Sequence, residues 1–407
     1  MSGPLEGLKV IDLSRVLAGP SLTQLLADLG AEVIKVERPL LGDDTRHWGP
    51  PWLKDKDGND TKEAGYYMSA NRGKHSITID ISKTAGADLV REMVKDADFF
   101  VENFKVGGLK KMGLDYESLQ EINPGLIYLS ITGFGQTGPD AAQPGYDYLI
   151  QGRAGLMSIT GPADSDPGAG PVRAGVATVD LQTGLMGAVG LLAALYHREK
   201  TGEGQYIDVA LMDVQVQGCA NQGFNYLMSG RVPVRTGNWH PALSPYQPFD
   251  TASDPVIIAV GNDSQFRDLC RVLGVPEMAQ DERFATNPAR NKNRADMERW
   301  ITDIMVTKPA SHWVELCIAN NVPAGPIHNM EQVFEDPQVI ARGMQIKLDH
   351  PLSGTVPGIA NPLKFSKTEI TYAKAPPTLG EDTDDVLVRL LGKSGAEIQA
   401  LKEGGVV

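Results

Sequence analysis

Short β-branched apolar runs alternate with amphipathic helical stretches through the first third of the chain, and this alternation limits the fold more than any other feature. Apolar runs fall at 8–13, 33–36, 76–81, 98–101 and 126–131, with helical periodicity at 21–29 and 85–95 between them. Successive strands separated by helices pair in parallel, because a parallel neighbour is reached only through a connection long enough to cross the sheet. The predicted fold class is therefore α/β, a doubly wound parallel sheet in a large domain plus a smaller α/β domain. At 407 residues the chain exceeds what one simple core organises. A strand at 256–260 and helices near 263–273, 293–306 and 311–320 mark the smaller domain. The predicted boundaries are 1–229 for the large domain, 230–330 for the small one, and 331–407 for a C-terminal part returning to the large domain. Residues 40–65 read as a long loop carrying Trp48 and Trp52.

Charge and composition exclude several functions. A formal net charge of −13 is wrong for a nucleic-acid partner or an anionic membrane surface, both of which need a basic face. The N-terminal residues lack a signal-peptide pattern and the most apolar run, 185–196, is short for a bilayer, so no membrane and a cytoplasmic location are expected. Three dispersed cysteines read as buried, inert thiols of a reducing compartment. The seven histidines show no metal-ligand spacing, so no metal site is expected; a G-x-S-x-G elbow and a Walker A loop are absent. Carboxylates remain as candidate nucleophiles.

Asp180 stands out among them. A β-rich run at 176–179 stops at this residue and a long apolar helix pattern, 181–197, begins, with Gly170, Gly175 and Gly184 nearby. Such a junction suits a reactive group, and equally suits a helix N-cap. Arg38 closes the second strand where a nicotinamide dinucleotide site would want an acid. Its planar fork suits a phosphate, although a solvated surface arginine fits the position equally well. A carboxylate nucleophile has a specific use in exchanging activation between two acids without ATP: it attacks a thioester, forming a mixed anhydride and then an enzyme thioester.

The stretches LKVIDLSRVLAGP, LGAEVIKVERP, NRGKHSITIDI, VENFKVGGLKKMGL, ITGFGQTGP, GYD (145–147), VATVDLQTG and REKTGEGQYIDVALMD resemble, over essentially the whole length, the class III CoA-transferases. The resemblance implies a Rossmann-like large domain, an interlocked homodimer, coenzyme A as co-substrate with no tightly bound cofactor, and Asp180 as the catalytic nucleophile. It also implies CoA contacts at Val16, Arg38, Lys74, Asn103, Lys111, Met112 and Tyr146, with Lys111 standing where formyl-CoA transferases have arginine. Leu17 replaces their glutamine, and residues 237–249 replace their glycine-run loop, which argues against formate or oxalate as substrate. Tyr146 stands where the related racemases carry a histidine base, which disfavours α-proton exchange. GDDTRHWGPP, SPYQPF, VPAGPIHNM and FEDPQV resemble the branch that moves CoA from succinyl-CoA to a short dicarboxylic acid such as glutarate, itaconate or malate. In that branch Arg15 and Arg46 are the candidate cations for the distal carboxylate, with a phosphate or structural contact at 15 and a surface arginine at 46 as the alternatives; Trp48 is a candidate wall of the acyl pocket or a loop anchor, and His240 a candidate neighbour of the thioester or a structural histidine. A 2-methylacyl-CoA racemase-type enzyme and a CoA-binding protein without turnover are the alternatives.

Overall fold

A computed structural model describes residues 3–407, which form two compact units. The larger unit comprises Met1–Leu156, Ala174–Ser229 and Gln338–Val407. It is built on strands β1 (Lys9–Asp12), β2 (Glu32–Glu37), β3 (Lys74–Thr78), β4 (Phe99–Glu102), β5 (Ile127–Thr132) and β6 (Tyr206–Ala210). All pair in parallel, in the spatial order β3-β2-β1-β4-β5-β6. This is the doubly wound order, whose direction of winding reverses between β1 and β4.

Alternation along the strands explains why both faces are covered. Val10, Val33, Phe99, Val101, Ile127 and Leu129 enter one core, and Ile11, Ile34, Ile77, Phe100 and Tyr128 enter the other. The central strands β4 (FFVE) and β5 (IYLSIT) are mostly apolar, as a sheet buried on both sides requires, whereas the edge strand β3 (KHSIT) holds a single apolar residue, Ile77. The first face carries helix α1 (Ala18–Asp28) and the second α2 (Thr84–Val94) and α3 (Tyr116–Ile122). Further along lie α4 (Asp147–Arg153), α5 (Thr178–Thr201) and α6 (Leu211–Gly218). The C-terminal helices α7 (Thr383–Leu391) and α8 (Gly395–Glu403) close the second core through Val386, Leu387 and Ile398.

Helix α5 packs along α1. The approach is close because position 184 is glycine: a Cβ there would fall 2.7 Å from the Ala18 carbonyl oxygen and from Ser21 Oγ. Asp180, Thr183, Gly187 and Leu191 are buried, while Leu181, Leu185, Val189, Leu192 and Tyr196 form an exposed apolar stripe at helical spacing. The helix has 24 residues and is, by length and composition, long and apolar enough to cross a bilayer. The apolar run at 185–196 understates this length, because the flanking turns are helical too.

The second unit comprises Met157–Arg173 and Gly230–Pro337. A three-stranded antiparallel sheet (Tyr246–Phe249, Val256–Ala259, Ala324–Pro326) packs with helices Asp263–Val272, Arg294–Met305 and Ala310–Ala319 around Phe266, Leu269, Met297, Ile301 and Trp313. Cys270 and Cys317 lie in this core, and burial pushes their thiols up to about 12 and about 11.

Two local expectations are corrected. No strand forms at 176–179; the chain is irregular there and α5 begins at Thr178. Residues 40–65 are not a plain loop but hold a 3-10 turn, Asp44–His47, and an antiparallel hairpin, Trp52–Lys54 with Asp60–Ala64.

Candidate active site

A cavity of about 220 Å³ opens at the carboxyl ends of β1, β4 and β5, across the point where the winding reverses. Open α/β sheets place ligands there because the loops that follow the strands diverge on either side. Asp180, Arg15, Val16, Asn103, Lys105 and Tyr146 are among its lining residues. Gly133 and Gly145 also line it and touch backbone to backbone: a Cβ on Gly133 would come within 2.4 Å of Gly145 Cα.

Asp180 sits in the first turn of α5, 9% exposed and open to this cavity. Among the described residues its carboxylate accepts no hydrogen bond and meets no cation. Burial, and then the nearby Asp147 carboxylate, push its pKa up to about 7. Asp180 is not the helix N-cap: Ala177 holds that position and contributes no side-chain cap. The first-turn amides of Val179 and Asp180 instead donate to Asp147 Oδ2, at 2.8 and 3.3 Å.

The loop after β1 is held in a sparsely populated conformation. Val16 has a φ of 72°, a left-handed value costly for a β-branched residue. Its amide donates to both Asp43 oxygens at 3.2 Å, and Asp43 is anchored by buried Lys35 at 3.0 Å. Burial alone would raise the Asp43 carboxyl, but Lys35 and the Thr45 amide bring it down to about 2. Asn103 clamps the adjacent residue from the end of β4. Its Oδ1 accepts the Arg15 amide at 3.0 Å and its Nδ2 donates to the Arg15 carbonyl at 2.7 Å. The Arg15 guanidinium is left half-exposed over the Phe104 ring, with one long contact to Asp44 at 3.4 Å.

Arg15, Asp44 and Phe104 also line a neighbouring cavity of about 350 Å³, where Arg38 and Met112 lie. Arg38 and Lys111 are exposed. The two cavities thus adjoin at Arg15, one carrying a cation and an apolar wall, the other a buried carboxylate. Among the described residues no group of three His, Cys, Asp or Glu is placed to hold a metal ion.

Three expected contacts are placed elsewhere. Lys74 is fully buried, donating to Asp12 at 3.3 Å, Asn71 at 2.8 Å and the Pro20 carbonyl at 2.9 Å, so it ties β1, α1 and β3 together and offers no cation to a phosphate. Burial lowers its pKa to about 7 despite Asp12. Arg46 is also buried. It grips Glu37 through two hydrogen bonds of 2.8 and 2.9 Å, reaches Glu63 at 2.9 Å and lies over the Tyr67 ring at 3.6 Å. Its charge is already paired, so a substrate carboxylate has no claim on it. His240 belongs to the second unit, where its Nδ1 accepts the amides of Ala242 and Leu243 at 3.0 Å and shapes its own loop.

Trp48 meets the edge of Tyr66, with ring centroids 5.2 Å apart, and does not line the cavity. Tyr66 lies within the electrostatic reach of Asp180 and Asp147, which, after burial, raise its phenol. Residue patterns alone did not single out Asp43, Tyr66, Lys105 or the side chain of Asp147. For Asp147 a signal existed, since it shares the GYD stretch with Tyr146.

A parallel-sheet switch point that places a buried carboxylate without hydrogen-bond partners among the described residues next to a second cavity reached by Arg15 and Arg38 suits an acyl-transfer protein that handles a nucleotide-bearing thioester. The comparisons agree. The model of CoA-transferase family III matches residues 5–383, and the chain belongs to that family. It is 50% identical over 387 residues to a succinate–glutarate CoA-transferase of Agrobacterium fabrum, covering 95% of this chain and 96% of that one. It is 42% identical to the Homo sapiens succinyl-CoA:glutarate CoA-transferase, over 99% of this chain and 90% of that protein. A crystal structure of a CAIB/BAIF family protein from Brucella suis superposes with a TM-score of 0.84 at 48% identity, covering 96% of this chain and 100% of that one.

Proposed function

We propose that this enzyme transfers CoA from succinyl-CoA to a short dicarboxylate of the glutarate type, with Asp180 as the nucleophile. The carrying observation is a buried carboxylate, free of hydrogen-bond partners among the described residues, in one cavity with a half-exposed arginine whose only ion pair among those residues is a long one to Asp44. The ionised Asp180 attacks the succinyl thioester carbonyl, giving a mixed anhydride and releasing the CoA thiolate. The thiolate attacks the aspartyl carbonyl, releasing succinate and leaving an aspartyl-CoA thioester. The acceptor carboxylate attacks that thioester, expelling the CoA thiolate and forming a second mixed anhydride; the thiolate then attacks the acceptor's carbonyl, giving the acyl-CoA product and releasing the Asp180 carboxylate. Burial favours the first step, since a poorly solvated carboxylate is a stronger nucleophile.

Arg38 and Met112 suit the nucleotide end of CoA, and Val16, Asn103 and Tyr146 the part that reaches Asp180. Arg15, and not Arg46, is the cation for the distal carboxylate, because it is the arginine lining the Asp180 cavity. The exposed stripe on α5 supports a homodimer, as a soluble monomer seldom leaves so contiguous an apolar face in water. The acidic balance supports an enzyme without nucleic-acid partners, and the proposed location is cytoplasmic. Assaying succinyl-CoA against glutarate, itaconate, malate and formate tests the reading: turnover with the dicarboxylates and none with formate is expected, and the reverse order overturns it.

A further inference from the structure

The start of α5 is capped by a side chain from another helix. Asp147, in the first turn of α4, turns Oδ2 toward α5, where it accepts the amides of Val179 and Asp180. Its second oxygen, Oδ1, accepts Gln151 Nε2 at 2.6 Å, one helical turn along the same face. Gln151 is fully buried, and its Oε1 accepts the Ala174 amide at 2.9 Å. A relay therefore runs from the irregular segment before α5, through Gln151 and Asp147, to the backbone of Asp180.

An acidic residue at the start of a helix ordinarily turns back to satisfy the free amides of the first turn. Had Asp180 done so, its oxygens would point along the helix axis and be occupied. Because Asp147 takes those amides, the oxygens of Asp180 stay unbonded at the cavity. We infer that Asp147 is a positioning residue for the transfer reaction: it holds the backbone of Asp180, spares that carboxylate from capping, and places a like charge beside it, with Gln151 orienting Asp147 in turn. This role rests on the reading of Asp180 as nucleophile.

The like charge matters because it sets when Asp180 is ionised. Among the described residues, the other charged or titratable groups that line the Asp180 cavity or reach Asp180 are Tyr66 from the turn after the hairpin, Arg15 and Asp44 from the loops after β1 and β2, Lys105 after β4, and Tyr146 just before α4. Among these, Asp147 is the group whose charge raises the Asp180 pKa, after burial itself. Removing that charge moves ionisation to lower pH, whereas removing only a structural cap does not.

The test uses the full-length enzyme with succinyl-CoA and glutarate, following kcat and KM from mildly acidic to alkaline pH. In Asp147→Asn, which keeps an amide oxygen for the α5 amides, the acidic limb of the pH profile is expected to move to lower pH with KM for succinyl-CoA unchanged. In Asp147→Ala, kcat is expected to fall by about 10²-fold, the scale of a displaced reacting group. Gln151→Leu, which leaves Asp147 itself in place, is expected to lower kcat to a smaller degree at unchanged KM, and reads the relay even where an Asp147 variant fails to fold. A wild-type profile and kcat in Asp147→Asn and Gln151→Leu, with Asp180→Ala inactive, overturns the positioning role alone. Turnover by Asp180→Ala overturns the nucleophile and the positioning role with it.

Discussion

Replacing Asp180 by asparagine is expected to stabilise the protein while abolishing turnover, and the stabilisation is expected to depend on pH. In the folded chain the carboxyl titrates at about 7, against 3.8 as the ordinary value. Between these limits the folded state keeps a proton that the unfolded state has lost, so stability falls as pH rises from about 4 to about 7 and stays low above that. At about 1.4 kcal/mol per unit, a shift of roughly three units sets a ceiling of about 4 kcal/mol on the loss. Water reaching the cavity and local relaxation reduce it, so a gain of about 1–3 kcal/mol for the variant at alkaline pH is expected. Urea unfolding of both proteins at pH 4.5 and pH 8.5 is the assay; the difference should be small at the acidic value, about 1 kcal/mol at most, and widen at the alkaline one. Activity should fall by about 10³-fold or more, since the nucleophile is lost. Equal stabilities at both pH values, or a less stable variant at pH 8.5, would refute the claim that Asp180 is held in a poorly solvated, like-charged setting.

Other perturbations read other parts of the site. Arg15→Gln is expected to raise KM for the dicarboxylate by about 10–100-fold, the worth of a charge-assisted contact, and to leave the stability of the enzyme nearly unchanged because the side chain is half-exposed. Arg46→Met is expected to do the opposite, costing about 3–5 kcal/mol in unfolding experiments by stranding buried Glu37 and Glu63, with little specific effect on acceptor KM in whatever protein folds. Asp43 is held down at about 2, so its contribution is present above pH about 4 and lost as pH falls toward 2. The difference in melting temperature between wild type and Asp43→Asn should therefore shrink across that acidic window, and a constant difference contradicts the assignment.

The parallel sheet was legible because its strands are continuous apolar runs and the helices between them are amphipathic, two periods that do not imitate each other. Asp180 was legible as a residue but not as a geometry. The β-branched run before it reads as a strand, yet Val176, Ala177 and Thr178 are exposed or half-buried, Val179 alone is buried, and among the described residues the run joins no sheet, so helix formation from Thr178 prevails. The capping role fell to Asp147, 33 positions away, and a partner at that distance leaves no local pattern. Lys74 and Arg46 failed as ligand contacts for a shared reason. Basic residues in short polar stretches read as exposed, whereas here each meets acids brought in by other strands, Asp12 for one and Glu37 and Glu63 for the other. Arg15 and Asn103 line the Asp180 cavity because both lie just past the end of a strand, where the sheet forces side chains toward the ligand crevice.

The most direct measurement of the central claim follows the acceptor's own oxygen. In transfer through Asp180, an oxygen of the acceptor carboxylate enters the anhydride and remains on the aspartate when the thiolate takes the acyl group. Heavy-oxygen-labelled glutarate, turned over with succinyl-CoA, should therefore label the peptide that carries Asp180, and only when succinyl-CoA is present. Succinate released in later turnovers should carry the label as well. An unlabelled peptide after many turnovers, or label on another carboxylate, contradicts the assignment of Asp180 as the group that carries the acyl and CoA moieties.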